Sequence, residues 1–327
     1  MENNRRALYH SLRMNWMLNP KLNVEMWQIA DYRAKPLNVL FEQLIHHDIH
    51  LDKQSFLIFA ENMDDPESLT DALISDNPPG RAAQDHIYLL IFELWRRLLP
   101  ERPCLSILCD EIDYQINLYD RGEMQKEEAI QDSLANLQML LDENNDAGIE
   151  PLEVFEYVNA ACANDLESFL LDYISDQIDN GNYPYASELI EGFSQYIYHV
   201  KWFKLLQARI LSLTDPQEAI RMVLDLLKNQ EPDLEFLLEV LSFLIPNGDE
   251  ATFKRLVKQA IALSQNEDDF QTIITICIEF YNRLDEDELA KTLQALLNQR
   301  GQFDLNKKID TREAQFIEFL KVMSIPF

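Results

Sequence analysis

The residues best equipped for chemistry lie together at Leu44-Ile45-His46-His47-Asp48-Ile49-His50. An imidazole beside a carboxylate can hold a divalent cation, and a cation so held acidifies bound water until it attacks as hydroxide. The geometry carries a condition: His46 and His50 share a face only if one helix runs on through Asp48, whereas Asp52 reads as the cap of a new helix. On that reading the segment is a polar turn at a helix end. A second group is basic. Lys201 and Lys204, with Arg209 nearby, form a cationic island in an acidic molecule. They could hold a partner's carboxylates through charge-assisted hydrogen bonds, or simply balance neighbouring Asp and Glu on a solvated face. Covalent catalysis lacks a candidate, because no Ser, Cys or Lys stands beside a histidine in a nucleophile context. Cys104, Cys109, Cys162 and Cys277 show no Cys-x-x-Cys pair and sit in apolar helical settings, which predicts buried thiols rather than metal ligands or disulfides.

Composition narrows the classes further. A chain of 327 residues with 47% hydrophobic content can bury a large core and could hold more than one domain. Only seven glycines are present, and neither a dinucleotide-binding nor a P-loop glycine pattern occurs. No cofactor is expected. The formal net charge of −29 repels phosphate backbones and anionic lipid, so neither nucleic acid nor membrane is an expected partner. The start lacks the apolar core of a signal peptide and no run could span a bilayer, so a cytoplasmic location is expected.

The elements that must position these side chains read as helices throughout. Val39, Leu40 and Leu44, then Phe56, Phe59, Ala60 and Met63, recur three and four apart. Asp65-Pro66-Glu67 is a helix start, with a capping carboxylate and a proline suited to the first turn. Asn77-Pro78-Pro79-Gly80 breaks the chain. A helix over 87–99 is stopped by Pro100, the next opens at Pro103, and another occupies 123–142. Glu143 to Gly148 has no apolar anchor and is rich in turn formers, which marks a linker. The expected division is therefore an N-terminal helical domain over 1–143 and a repeat domain over 151–327, with Pro151 opening the first helix of the second. No strand is expected.

Repetition dominates the second half. Breaks at Gly181, Thr214, Gly248 and Asp285 stand 33, 34 and 37 residues apart, the step of stacked helical hairpins, none of which buries its apolar face alone. Within the first break, Gly181-Asn182-Tyr183-Pro184-Tyr185-Ala186 supplies Gly-x-Tyr-x-x-Ala, which resembles the turn of a tetratricopeptide repeat. The resemblance covers about 165 to 300. Ala219 and Ala290 keep the alanine slot, and Phe253 departs from it. It implies an all-α, right-handed superhelix of antiparallel helix pairs in which the first helix of each pair lines a concave groove. Asp310-Thr311-Arg312-Glu313 would cap a final helix through Met323, covering the open end. Two segments support the packing independently. Over 234–245 the polar exceptions are Glu235, Glu239 and Ser242, and over 270–281 they are Thr272, Thr275 and Glu279. A narrow polar stripe on an otherwise apolar helix means neighbours on both sides.

From the resemblance, the groove is expected to hold Leu171, Ser175, Lys201, Lys204, Glu235, Leu238, Ser242, Thr272, Thr275 and Glu279. The corresponding function is a non-catalytic adaptor that binds a peptide or helical segment of another protein. A narrower version is an acidic cytosolic chaperone that holds secreted proteins. The alternative of a different class is an enzyme, because His47-Asp48 resembles the signature of all-helical metal-dependent phosphohydrolases. That resemblance implies a histidine upstream and an aspartate downstream, for which His10 and Asp113 are nominated, and a glycine soon after the pair, where this chain has His50.

Overall fold

The computed structural model describes residues 5–124, 126–228 and 233–324. Over these the chain is all-α, with seventeen helices, no strand, and an isolated antiparallel bridge between Asn266 and Lys308. None of the helices is long and apolar enough to cross a membrane. Two compact units divide it: the described residues of Met1–Tyr173 with Gly192–Tyr198, and those of Ile174–Glu191 with His199–Phe327.

The first unit holds α1 (Arg5–Leu18), α2 (Leu37–Ile45), α3 (Lys53–Ala60), α4 (Pro66–Ile74), α5 (Arg81–Leu98), α6 (Leu105–Asp120), α7 (Glu128–Asp146) and α8 (Pro151–Asn159). Its central member is α5. Every residue from Ile87 to Trp95 is buried, and α2 and α4 pack on this helix. Elsewhere α1 packs on α6, far away in sequence, while α6, α7 and α8 pack in succession. The starts follow local chemistry. Asp52 accepts from the Ser55 amide at 2.7 Å and caps α3, and Asp65 accepts from Ser68 at 2.7 Å before Pro66 opens α4. The helix expected to end at Asp142 runs on to Asp146, so the supposed linker is mostly helical and lies inside this unit.

Two helices, α9 (Leu166–Asp179) and α10 (Tyr183–Phe193), contribute residues to both units. The rest of the second unit is α11 (Val200–Leu211), α12 (Pro216–Lys228), α13 (Leu234–Leu244), α14 (Glu250–Leu263), α15 (Glu267–Arg283), α16 (Asp287–Arg300) and α17 (Ala314–Val322). Gly181, Thr214, Gly248 and Asp285 all fall in the turns between paired helices, as their spacing predicts. Packing runs along the sequence: α11 on α12, α13 on α14, α15 on α16 and α16 on α17. The first helices also contact one another in order, α11 with α13 and α13 with α15. One apolar core follows that succession from Leu205 to Met323. Ala186, Ala219, Phe253 and Ala290, the four residues of the alanine slot, are all buried.

Asp48, Gly122, Gly148, Gly181 and Asp285 close five helices in one way. Each has a positive φ, and the amide that follows it donates to the carbonyl five residues back. That is the Schellman closure, in which the left-handed residue suits glycine. Gly248 serves another need, because a Cβ there would lie 2.7 Å from the Leu244 carbonyl oxygen. At the C-terminal end the expected cap is displaced. Asp310 accepts from the Arg312 amide in a local turn, and α17 begins after Glu313 without a side-chain cap.

Candidate functional site

The first helices of the hairpins carry most of the candidate residues, and their exposure divides them. On α15, Thr272, Thr275 and Glu279 are exposed while Phe270, Ile273, Ile274, Ile276, Cys277, Ile278, Phe280 and Tyr281 are buried. Thr272 and Thr275 border a cleft of about 570 Å3 whose other wall comes from α16 through Leu297 and Asn298, with Gly301 beyond it. Gln271 lies in the same cleft. Its side-chain amide donates to Glu267 Oε1 at 3.1 Å and to the Arg300 carbonyl at 3.0 Å, which holds it against the wall. The stripe on α15 draws attention to one wall only. Leu297 and Asn298 carry no comparable signal, since they occupy the second helix of the hairpin.

On α13, Glu235 is exposed, whereas Leu238 and Ser242 are half-buried. The Ser242 hydroxyl donates to the Leu238 carbonyl at 3.1 Å, a bond within the helix. Leu171 and Ser175 on α9 are also half-buried, and Ser175 accepts from Arg209 Nη1 at 2.6 Å.

The cationic island is split by its contacts. Lys201 pairs with Asp233, the cap of α13, and its ammonium lies 5.1 Å from the Phe236 ring centroid. Arg209 is paired with Asp179 at 2.5 Å. Lys204, one turn from Lys201, is exposed. Two of the three cations thus join neighbouring helices, and Lys204 presents its charge to solvent.

The histidine cluster is arranged around His86 rather than along one helical face. α2 ends at Ile45, and Asp48 is the left-handed residue of its Schellman closure, so His46 and His50 do not share a helical face. His47 Nε2 lies 3.0 Å from His86 Nδ1, and the His86 ring stacks on Trp27 at 5.2 Å. Burial, then the neighbouring His47, pushes the His86 pKa down to about 4. The nominated partners have other neighbours. His10 is near Asp110, Arg6 and Arg33, and Asp113 accepts from the Ala163 and Asn164 amides at 2.8 and 2.9 Å. Among the described residues no three His, Cys, Asp or Glu side chains are grouped as metal ligands.

Comparison with protein-family models, with curated proteins and with solved structures gives no significant match.

Proposed function

We propose that the chain is a non-catalytic binding or adaptor module of the cytoplasm, and that its second unit is a right-handed superhelix of tetratricopeptide-like hairpins. An extended or helical segment of another protein lies along the face made by the first helices. Apolar contacts supply affinity, and the sparse polar positions set register. What carries the reading is the succession α11, α13, α15, each in contact with the next, with Lys204, Glu235, Thr272, Thr275 and Glu279 exposed on them. The cleft beside Thr272 and Thr275 offers a partner side chain a recess where that face meets α16.

The test is affinity purification from the native cell with the intact chain and with a Thr272→Arg, Thr275→Arg variant. Both threonines are exposed, so the fold should tolerate the change. Proteins retained by the parent and lost by the variant support the reading. An identical set on both removes the α15 face from it. A single aggregation-prone protein in the retained set would narrow the adaptor to a dedicated chaperone.

A further inference from the structure

The first unit carries a second recess with a different character. Between residues 127 and 200 the chain has sixteen Asp and Glu and no Lys or Arg. The described part of that run includes α7 and α8, which pack together. Against them lies a cleft of about 660 Å3, bounded by Leu105 at the start of α6, Leu140 and Asn144 of α7, and Val154, Tyr157 and Val158 of α8. Its lining leaves large apolar side chains in water, Tyr157 at 59% exposed and Ile149 at 40%, and Leu152, next to the lining residue Glu153, is 45% exposed. Glu153 and Glu156 are exposed between them. On α8 the exposed residues Leu152, Glu153, Glu156 and Tyr157 form one continuous stripe that Ala160, the C-cap, extends, with apolar and acidic groups interleaved.

We propose that this cleft docks a cationic amphipathic helix of another protein. Two packed helices with an apolar recess between them suit the helix-in-groove mode, in which a few side chains anchor the guest. Tyrosine at such a rim gives a large contact at small entropic cost. Charge selects the guest. Carboxylates with no lysine or arginine from their own segment are complementary to lysines flanking an apolar stripe, and they steer such a helix inward. The same field opposes the other occupants: a second copy brings its own charge of −29, and an anionic membrane is repelled in the same way. The proposal does not rest on the reading of the α15 face.

The experiment uses the full chain and peptides of about 18 residues, roughly five helical turns, made of leucine and lysine only. In one peptide the leucines form a single stripe; in the other the same composition is ordered so that they are scattered. Calorimetric titration should show the striped peptide binding at least about tenfold tighter than the scattered one. Glu153→Lys with Glu156→Lys should weaken it by about tenfold or more, as should Leu152→Ser with Tyr157→Ser, while circular dichroism stays unchanged. Thr272→Arg with Thr275→Arg should leave this binding as it is. Failure of the striped peptide to bind, equal binding of both peptides, or indifference to both α8 variants each overturns the proposal. So does self-association of the chain that is abolished by Leu152→Ser with Tyr157→Ser, which would make a second copy the occupant.

Discussion

Arg300 grips Glu267 with two hydrogen bonds, of 2.7 and 2.5 Å, and neither side chain is exposed to solvent. The pair joins the last residue of α16 to the first of α15. Glu313, just before α17, adds a carboxylate 3.1 Å from the same guanidinium, and the Glu267 amide donates to the Lys307 carbonyl at 2.8 Å. The ion pair therefore anchors the end of one hairpin and the loop that leads to α17. Removing Arg300 strands the Glu267 carboxylate away from water, which costs about 3–5 kcal/mol, and removing Glu267 leaves the buried guanidinium with Glu313 alone, whereas replacing both with apolar residues of similar volume costs far less. Glu267→Leu and Arg300→Met should each lower the urea midpoint steeply, and the double variant should recover most of the loss. Additive losses would mean that the two residues act separately.

The Schellman closures give a prediction with the opposite sign. Asp48 and Asp285 have φ of 62° and 59°, a region where a Cβ is a burden, in the slot that Gly122, Gly148 and Gly181 fill elsewhere. Asp48→Gly and Asp285→Gly should each stabilise the chain by about 0.5–1 kcal/mol, and Gly181→Ala should destabilise it by about 1 kcal/mol or more. Thermal unfolding reads all three. Asp48→Gly has a second use, since a metal-dependent activity at His47-Asp48 would not survive loss of the carboxylate. A phosphoesterase activity present in the parent and absent from this variant would favour the enzyme reading over the adaptor.

Local chemistry is what the sequence makes legible here. The turns at Gly181, Thr214, Gly248 and Asp285 follow from spacing and turn residues, and the caps Asp52 and Asp65 follow from a carboxylate three residues before a free amide. The polar stripe of α15 follows from period alone, because one exposed strip on a helix packed all round has few arrangements. What depends on distant partners was not legible. α1 on α6 and α2 on α5 bring together segments with no shared signature. The stretch Glu143–Gly148 looks like a linker by composition, yet Asn144 bonds the Leu140 carbonyl at 2.8 Å and the helix continues to Asp146, with Gly148 providing the left-handed closure. Asp310 looks like a cap, but α17 starts later, after the segment whose Leu305 and Lys307 carbonyls accept from the Asp268 and Glu267 amides. The cleft between α15 and α16 needed both walls, and the sequence marks only one.

Acid should pull the stability of the first unit in two directions. His86, whose ordinary pKa is 6.5, is pushed down to about 4 by burial and by His47. The fold favours its neutral ring, so its contribution is present above pH 6.5 and is lost as pH falls through 4. Asp113 is the reverse. Burial raises its carboxyl from 3.8 to about 6, against the lowering effect of the Ala163 and Asn164 amides. Its contribution is full below 3.8 and is lost as pH rises through 6. Between about pH 7 and 4.5, the melting temperature of His86→Gln should therefore fall less than that of the parent, and that of Asp113→Asn should fall more. Parallel curves for parent and variants would show that neither group is linked to folding.

Lys201 and Lys204 lie one helical turn apart on α11 and should fail in different assays. Lys201 is committed within the unit: it pairs with Asp233, which caps α13 by accepting from the Glu235 amide, and it lies against the Phe236 ring. Lys201→Ala leaves that capping carboxylate in place but removes its cation and the packing of the lysine stem, so a loss of about 1 kcal/mol or more is expected. Lys204 is exposed, so Lys204→Glu should leave the melting temperature within about 1 °C, because surface substitutions of this kind cost little. If the α11, α13 and α15 face receives an acidic group of a partner, Lys204→Glu weakens that partner by charge reversal at the rim, with a slower on-rate at low salt and a smaller effect at high salt. A partner that binds this face with unchanged kinetics in Lys204→Glu owes nothing to the lysine. Its recognition would then rest on the cleft beside Thr272 and Thr275.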